Sequence, residues 1–206
     1  MTSARFLALG DSYTIGEGVD AAERWPLQLA RRLRARGAAI DDPQVIATTG
    51  WTTDELSAAM DGASFSAPYA LVTLLIGVNN QYRGRDIENY RGEFSSLLAR
   101  ALALAGGLSD RVIVVSIPDW GVTRFAREQA CDASRVAAEI DGYNEAARTI
   151  AAERRIAFVD VTAISREAGD AEAMLVGDGL HPSAAQYALW TEAILPEAAR
   201  ALASSR

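Results

Sequence analysis

The sequence predicts an α/β protein, a three-layer α/β/α sandwich around a five-stranded parallel sheet, in a single domain spanning 1–206. Three observations carry this expectation. Five short apolar runs are continuous rather than alternating, the pattern of strands covered on both faces. Segments with helical spacing lie between them, giving β-α five times, and right-handed crossovers then place helices on both sides of the sheet. Finally, the 206 residues are 50% hydrophobic and contain no internal repeat, low-complexity tract or linker, which suits one substantial core.

Each element follows in order. Phe6 to Leu9 is the first strand, and Pro26 suits the first turn of a helix running through Leu29 and Leu33. Gln44 to Thr48 is the second strand. Thr52, with Glu55 three residues later, has the form of a capping box that opens a short helix. After the third strand, Ala70 to Ile76, residues Tyr90, Phe94, Leu97, Ala101 and Leu104 share one helical face. The fourth strand, Arg111 to Ile117, precedes a helix that aligns Val136, Ile140, Tyr143, Ala147 and Ile150. Ala157 to Val161 is the fifth, and in the last helix the spacing of Tyr187, Trp190 and Ile194 assigns them to the core.

Composition excludes several functions. The chain has 27 acidic and 20 basic residues, a net charge of -7, and no long run of Lys or Arg, which argues against a nucleic-acid partner. Its single cysteine, Cys131, permits neither an intramolecular disulfide nor a Cys-built zinc site. No stretch approaches the roughly 20 apolar residues of a membrane-spanning helix, so no transmembrane segment is expected. The opening "MTSARFLALG" has too short an apolar run for a secretory signal peptide, and the expected location is cytoplasmic.

In doubly wound sheets, sites form beyond the carboxyl ends of the strands, where strand order reverses. Ser12 follows the first strand, Gly50 the second and Asn79 the third, and "GDGLHPS" (177–183) follows the fifth. A serine hydroxyl needs a base, and His181 is the only histidine. Asp178, three residues earlier in a glycine-containing turn, can bring its carboxylate to the imidazole Nδ1–H and leave Nε2 to face Ser12. An Asp-Gly turn before a Ser-capped helix looks the same, so this motif alone leaves catalysis and structure both open. An oxyanion needs preorganised donors: the Ser12 and Gly50 N–H groups and the Asn79 side-chain amide are candidates. Singly, Gly50 reads as a turn glycine and Asn79 as a strand-end residue. Together, after successive strands, they read as a set.

Other residues are assigned lesser roles. Asp11 is expected to brace the turn at Ser12 by accepting nearby backbone N–H groups. Cys131 has no local activating pattern, and Arg83 and Arg85 read as solvated loop arginines. Trp51, Tyr82 and Trp120 sit just beyond three strand ends and are candidate substrate-binding walls of an acyl or sugar pocket.

Taken together, the blocks resemble the SGNH or GDSL-type hydrolases. Gly10-Asp11-Ser12-Tyr13 is similar to the family's Gly-Asp-Ser-Leu, and Gly50 to its second-block glycine. Gly77-Val78-Asn79-Asn80 resembles Gly-x-Asn-Asp, and Asp178 to His181 matches Asp-x-x-His. The four blocks span nearly the whole chain in the family's order. The resemblance implies a flavodoxin-like sandwich, the SGNH hydrolase fold, with esterase, lipase or carbohydrate deacetylase activity, and Ser12, Gly50, Asn79 and His181 as the name-giving residues. Two residues depart from the pattern. Tyr13 replaces leucine, which changes packing under the nucleophile, and Asn80 replaces an aspartate that organises the loop, a role an amide fills in part.

The expected function is therefore a metal-independent serine esterase acting on a small-molecule carboxylic ester through an acyl-enzyme, with no cofactor. Ser12 attacks, His181 transfers the proton and Asp178 orients the imidazole. A rival within the same chemistry is deacetylation of an O-acetylated sugar or glycan. From another class comes a non-catalytic anion- or nucleotide-binding module, against which stands the lack of Gly-Lys-Ser/Thr after the first strand.

Overall fold

The structure, a computed structural model, describes residues 3–203. Five strands, β1 (Phe6–Gly10), β2 (Gln44–Ala47), β3 (Leu71–Leu75), β4 (Val112–Val115) and β5 (Ala157–Val159), form one sheet in the order β2-β1-β3-β4-β5. Every pairing is parallel. β1, β3 and β4 are buried along their whole length, whereas β2 and β5, at the edges, are buried only at their last residue. This is why their apolar runs are continuous: a central parallel strand has no face left for water.

β1 runs one residue past its apolar run, to Gly10, whereas β2 to β5 stop one or two residues short of theirs. Beyond β4, the Ile117 N–H is taken by the Asn144 side-chain oxygen at 2.8 Å, so side-chain bonding replaces the ladder there. Arg111, at the other end, closes a short 3-10 turn, Ser109–Arg111.

Nine α-helices are described: α1 (Ser12–Ile15), α2 (Trp25–Ala35), α3 (Thr53–Gly62), α4 (Val78–Tyr82), α5 (Ile87–Leu104), α6 (Arg124–Glu128), α7 (Ala133–Glu153), α8 (Thr162–Ala168) and α9 (Ala184–Ala203). α2 and α9 pack on each other, and α9 reaches β3, β4 and β5. The Gln28 amide of α2 donates to the Ala184 carbonyl of α9 at 3.1 Å, joining the two chemically. α5 packs between α3 and α7, and these contact β2, β3, β4 and β5 to form the second helical layer.

The helical faces expected from spacing are the buried ones. Tyr90, Phe94, Leu97 and Ala101 of α5 are in the core, with Leu104 half-buried at its end. All five aligned residues of α7 are buried, as are Tyr187, Trp190 and Ile194 of α9. Pro26 lies in the first turn of α2, and Thr52 with Glu55 forms the capping box of α3.

The sheet order fixes where a site forms. From β1 the chain crosses to β2 on one side, then passes over to β3 on the other, so strand order reverses between β1 and β3. Gly10 pairs with Ala47 and with Leu75, so the three strands end nearly level. Ser12, Gly50 and Asn79 all lie within a few residues of that common edge.

Candidate active site

The chain leaves β1 through a tight turn. A Cβ on Gly10 would lie 2.2 Å from Thr14 Oγ1 and 2.5 Å from the Leu75 carbonyl oxygen, so only glycine lets α1 start this close to β3. Asp11 caps α1: its Oδ1 accepts the Tyr13 N–H at 3.1 Å. Ser12 is thereby set at the first residue of a one-turn helix. Asp11 is fully buried, and its Oδ2 has no hydrogen-bond partner among the described residues. Burial pushes its pKa up to about 7, against the opposing pull of the Tyr13 N–H and its own. Tyr13 is buried beneath the site, its ring 5.7 Å from that of His181 and 6.0 Å from that of Trp190.

The histidine arrives on a strap before α9. Leu175 and Pro182 form an isolated antiparallel bridge, and the Val176 N–H donates to the His181 carbonyl at 2.9 Å. Within this strap, His181 Nδ1 lies 2.6 Å from Asp178 Oδ2, while Asp178 Oδ1 accepts the N–H groups of Leu180 at 2.8 Å and His181 at 3.0 Å. Burial raises the Asp178 pKa, but these bonds from the His181 ring and the two N–H groups outweigh it and hold the carboxyl below its ordinary value. An ionised Asp178 accepts from Nδ1–H, which leaves Nε2 as the acceptor nitrogen.

The turn after β2 supplies the second candidate donor. The Trp51 N–H donates to the Thr48 carbonyl at 3.3 Å, and Gly50 has φ +89°. That combination is a turn needing a left-handed third residue, which glycine adopts without steric cost. α4 is stitched along this turn. Asn79 Nδ2 donates to the Trp51 carbonyl at 2.9 Å, which leaves its second amide hydrogen for the cleft. Asn80 accepts the Thr53 N–H at 3.1 Å and donates to Thr53 Oγ1 at 2.6 Å, so the amide does brace this loop.

Arg83 and Arg85 depart from the solvated-loop reading. Arg83 Nη2 donates to the Gly50 carbonyl at 2.6 Å and its Nη1 lies 3.4 Å from Glu55, while Arg85 pairs with Asp54 at 2.6 Å. Both arginines clamp the start of α3 and the turn before it. Their partners lie 28 to 33 positions away in sequence, which local composition does not reveal.

Ser12, Gly50, Asn79 and His181 all line one cleft of about 200 Å³, with Tyr13, Thr49 and Val78. No hydrogen bond joins Ser12 Oγ to His181 Nε2 among the described residues; both side chains line the same cleft. Tyr82 and Trp120 form part of the wall, their rings edge to face with centroids 5.3 Å apart. Trp51 does not line the cleft. Its ring packs half-buried against the core, and its backbone carbonyl is what it contributes, to Asn79.

Phe125 and Leu180 complete the lining and were not singled out from sequence. Leu180 had a signal, its place beside His181. Phe125 had none, because a long-range bond brings it in: its N–H donates to the Gly179 carbonyl at 3.0 Å. Among the described residues, no group of three or more His, Cys, Asp or Glu side chains is arranged to hold a metal ion, and no helix is long and apolar enough to cross a membrane.

Comparison with known proteins places the chain in a family and a fold. Residues 8–189 match the model of the GDSL-like Lipase/Acylhydrolase family. Among solved structures, the chain is similar to TesA (TM-score 0.74, 20% identity, covering 94% of this chain and 97% of that one). It is also similar to a catalytic mutant of Axe2, an acetylxylan esterase from Geobacillus stearothermophilus (0.71, 21%, 96% and 95%). A lipase/acylhydrolase from Enterococcus faecalis is a third (0.70, 20%, 95% and 95%). At these identities the likeness is one of fold. No curated protein matches the chain.

Proposed function

Because the chain belongs to the GDSL-like lipase/acylhydrolase family, we propose that it hydrolyses carboxylic esters through an acyl-enzyme on Ser12. The observation that carries this reading is the 2.6 Å contact between His181 Nδ1 and Asp178 Oδ2 in a strap whose imidazole opens on the same cleft as Ser12.

His181 Nε2 takes the Ser12 hydroxyl proton as Oγ attacks the ester carbonyl carbon, and Asp178 holds the tautomer and stabilises the imidazolium. The carbonyl oxygen becomes an oxyanion, met by the N–H groups of Ser12 and Gly50 and the free amide hydrogen of Asn79. Collapse expels the alkoxide, which receives the proton from His181 and leaves as the alcohol. Water then attacks the acyl carbon, gives its proton to His181, and Ser12 leaves with that proton as the acid is released.

Labelling with a fluorophosphonate tests this directly. Wild type should react at one serine and lose esterase activity, whereas Ser12→Ala should be inactive from the start and should not be labelled. Labelling that persists in Ser12→Ala would assign the nucleophile elsewhere.

A second reading, removal of an acetyl group from a sugar, uses the same residues and differs in the leaving alcohol. It is favoured by Tyr82, which is 58% exposed at the cleft and offers a broad aromatic face to a ring-shaped alcohol. Turnover of acetylated xylo-oligosaccharides above that of simple alkyl and aryl esters would select this reading.

A further inference from the structure

We propose that Gln81, held by Glu139, is a positioning residue that sets acyl-chain selectivity by locking the Trp120 ring as an apolar wall of the cleft. The inference rests on the esterase reading and names the acyl group it favours: an unsubstituted hydrocarbon chain longer than acetyl.

α4 carries two sets of side chains. Asn79 and Tyr82 line the cleft, whereas Asn80 and Gln81 are buried away from it. Gln81 Oε1 accepts the Trp120 indole N–H at 2.8 Å, and Gln81 Nε2 donates to Glu139 Oε2 at 2.6 Å. An ionised carboxylate accepts only, so Glu139 fixes which end of the Gln81 amide faces it and leaves the oxygen toward the indole. With its one donor used behind the wall, Trp120 presents carbon to the cleft. Tyr82 and Phe125 pack edge-on against the ring, with centroids 5.3 Å and 6.4 Å from it.

The remaining lining is equally spent. The Thr49 hydroxyl commits its proton to Glu17, and Val78, Phe125 and Leu180 have no polar side-chain atoms. Apart from the Tyr82 hydroxyl on its exposed side chain, the Thr49 oxygen and the hydroxyl of Tyr13, itself buried beneath the site, the polar side chains left for a substrate are those at the reacting centre. A hydroxyl or charge set against Trp120, Phe125, Val78 and Leu180 would lose its water without gaining a partner, whereas each added methylene gains contact with that wall.

The test compares p-nitrophenyl hexanoate with p-nitrophenyl acetate on the full chain. Wild type should prefer hexanoate in kcat/KM. Gln81→Leu leaves the indole N–H without its acceptor and frees the ring, and Glu139→Leu frees the Gln81 amide to turn. Both should lower the hexanoate-to-acetate ratio about fivefold or more, mainly through KM for hexanoate. Glu139→Gln keeps an acceptor for Gln81 but loses the charge that faces Arg135 at 4.0 Å, and should hold the ratio near wild type.

Glu139 is partly exposed, so its variants report even where Gln81→Leu fails to fold. An unchanged ratio in folded Gln81→Leu or Glu139→Leu, a Glu139→Gln as impaired as Glu139→Leu, or a wild-type preference for acetate would each overturn the proposal. Wild type inactive on both esters would instead remove the esterase reading, and this inference with it.

Discussion

Asn79 donates its side-chain amide to the Trp51 carbonyl at 2.9 Å, which ties the residue that follows β3 to the turn that follows β2. One amide hydrogen is held by the protein and the other is aimed by that hold. Asn79→Ala should therefore lower kcat by about 10²–10³ with a smaller change in KM, because the proposed role of the second hydrogen is to bond the developing oxyanion. Asn80→Asp should cost less than about tenfold, since a carboxylate still accepts the Thr53 N–H. Steady-state kinetics on a p-nitrophenyl ester distinguishes them, and equal collapse of both would reverse the assignment of the two asparagines.

The Arg83 clamp on Gly50 carries the next prediction. Its guanidinium bonds the carbonyl of a residue whose N–H is a proposed oxyanion donor. Arg83→Ala should reduce kcat by roughly tenfold and leave KM nearly unchanged, because a misplaced donor weakens transition-state binding more than ground-state binding. Unaltered kcat would show that the turn keeps its shape unaided.

Asp178→Asn should leave the fold intact and lower kcat by about 10⁴, the scale seen when an amide in this position fixes the wrong imidazole tautomer. Thermal unfolding alongside kinetics checks both halves. Retention of more than a tenth of the activity would mean that His181 is oriented without the carboxylate.

Asp11 links pH to stability. Its pKa is 3.8 ordinarily and about 7 in the folded chain, so between these values the folded state holds a proton that the unfolded chain has released. Unfolding free energy then falls as pH rises. The Asp11 contribution is fully present below about pH 4 and is lost as pH climbs through about 7. Asn at this position can still accept the Tyr13 N–H but cannot titrate, so Asp11→Asn should flatten the dependence between those limits. Urea midpoints across that range are the measurement, and parallel profiles for the two proteins would assign the slope to other groups.

What the sequence made legible follows from what is local. The α3 capping box, the α7 stripe and the β1 run each depend on residues a few positions apart, and each lies where its spacing indicated. The joining of Asp178 to His181 is local too, three positions apart. Trp51 was misread because a residue's place after a strand does not say which way its ring points. Arg83 reads as solvated, and Gln81 and Phe125 escape notice, because their partners, Gly50, Trp120 and Gly179, lie 33, 39 and 54 residues away. Nothing within a window around any of them signals those contacts.

The packing of α2 on α9, with Gln28 bonded to the Ala184 carbonyl, bears on synthesis. Ser12 leaves the ribosome 169 residues before His181, by their numbering. On the proposed mechanism, Ser12 should stay inert while the residues between them are made, and the chain should gain both halves of its proton-transfer pair only when α9 docks beside α2. A break anywhere between them should yield two silent fragments, and hydrolysis would report their reassembly.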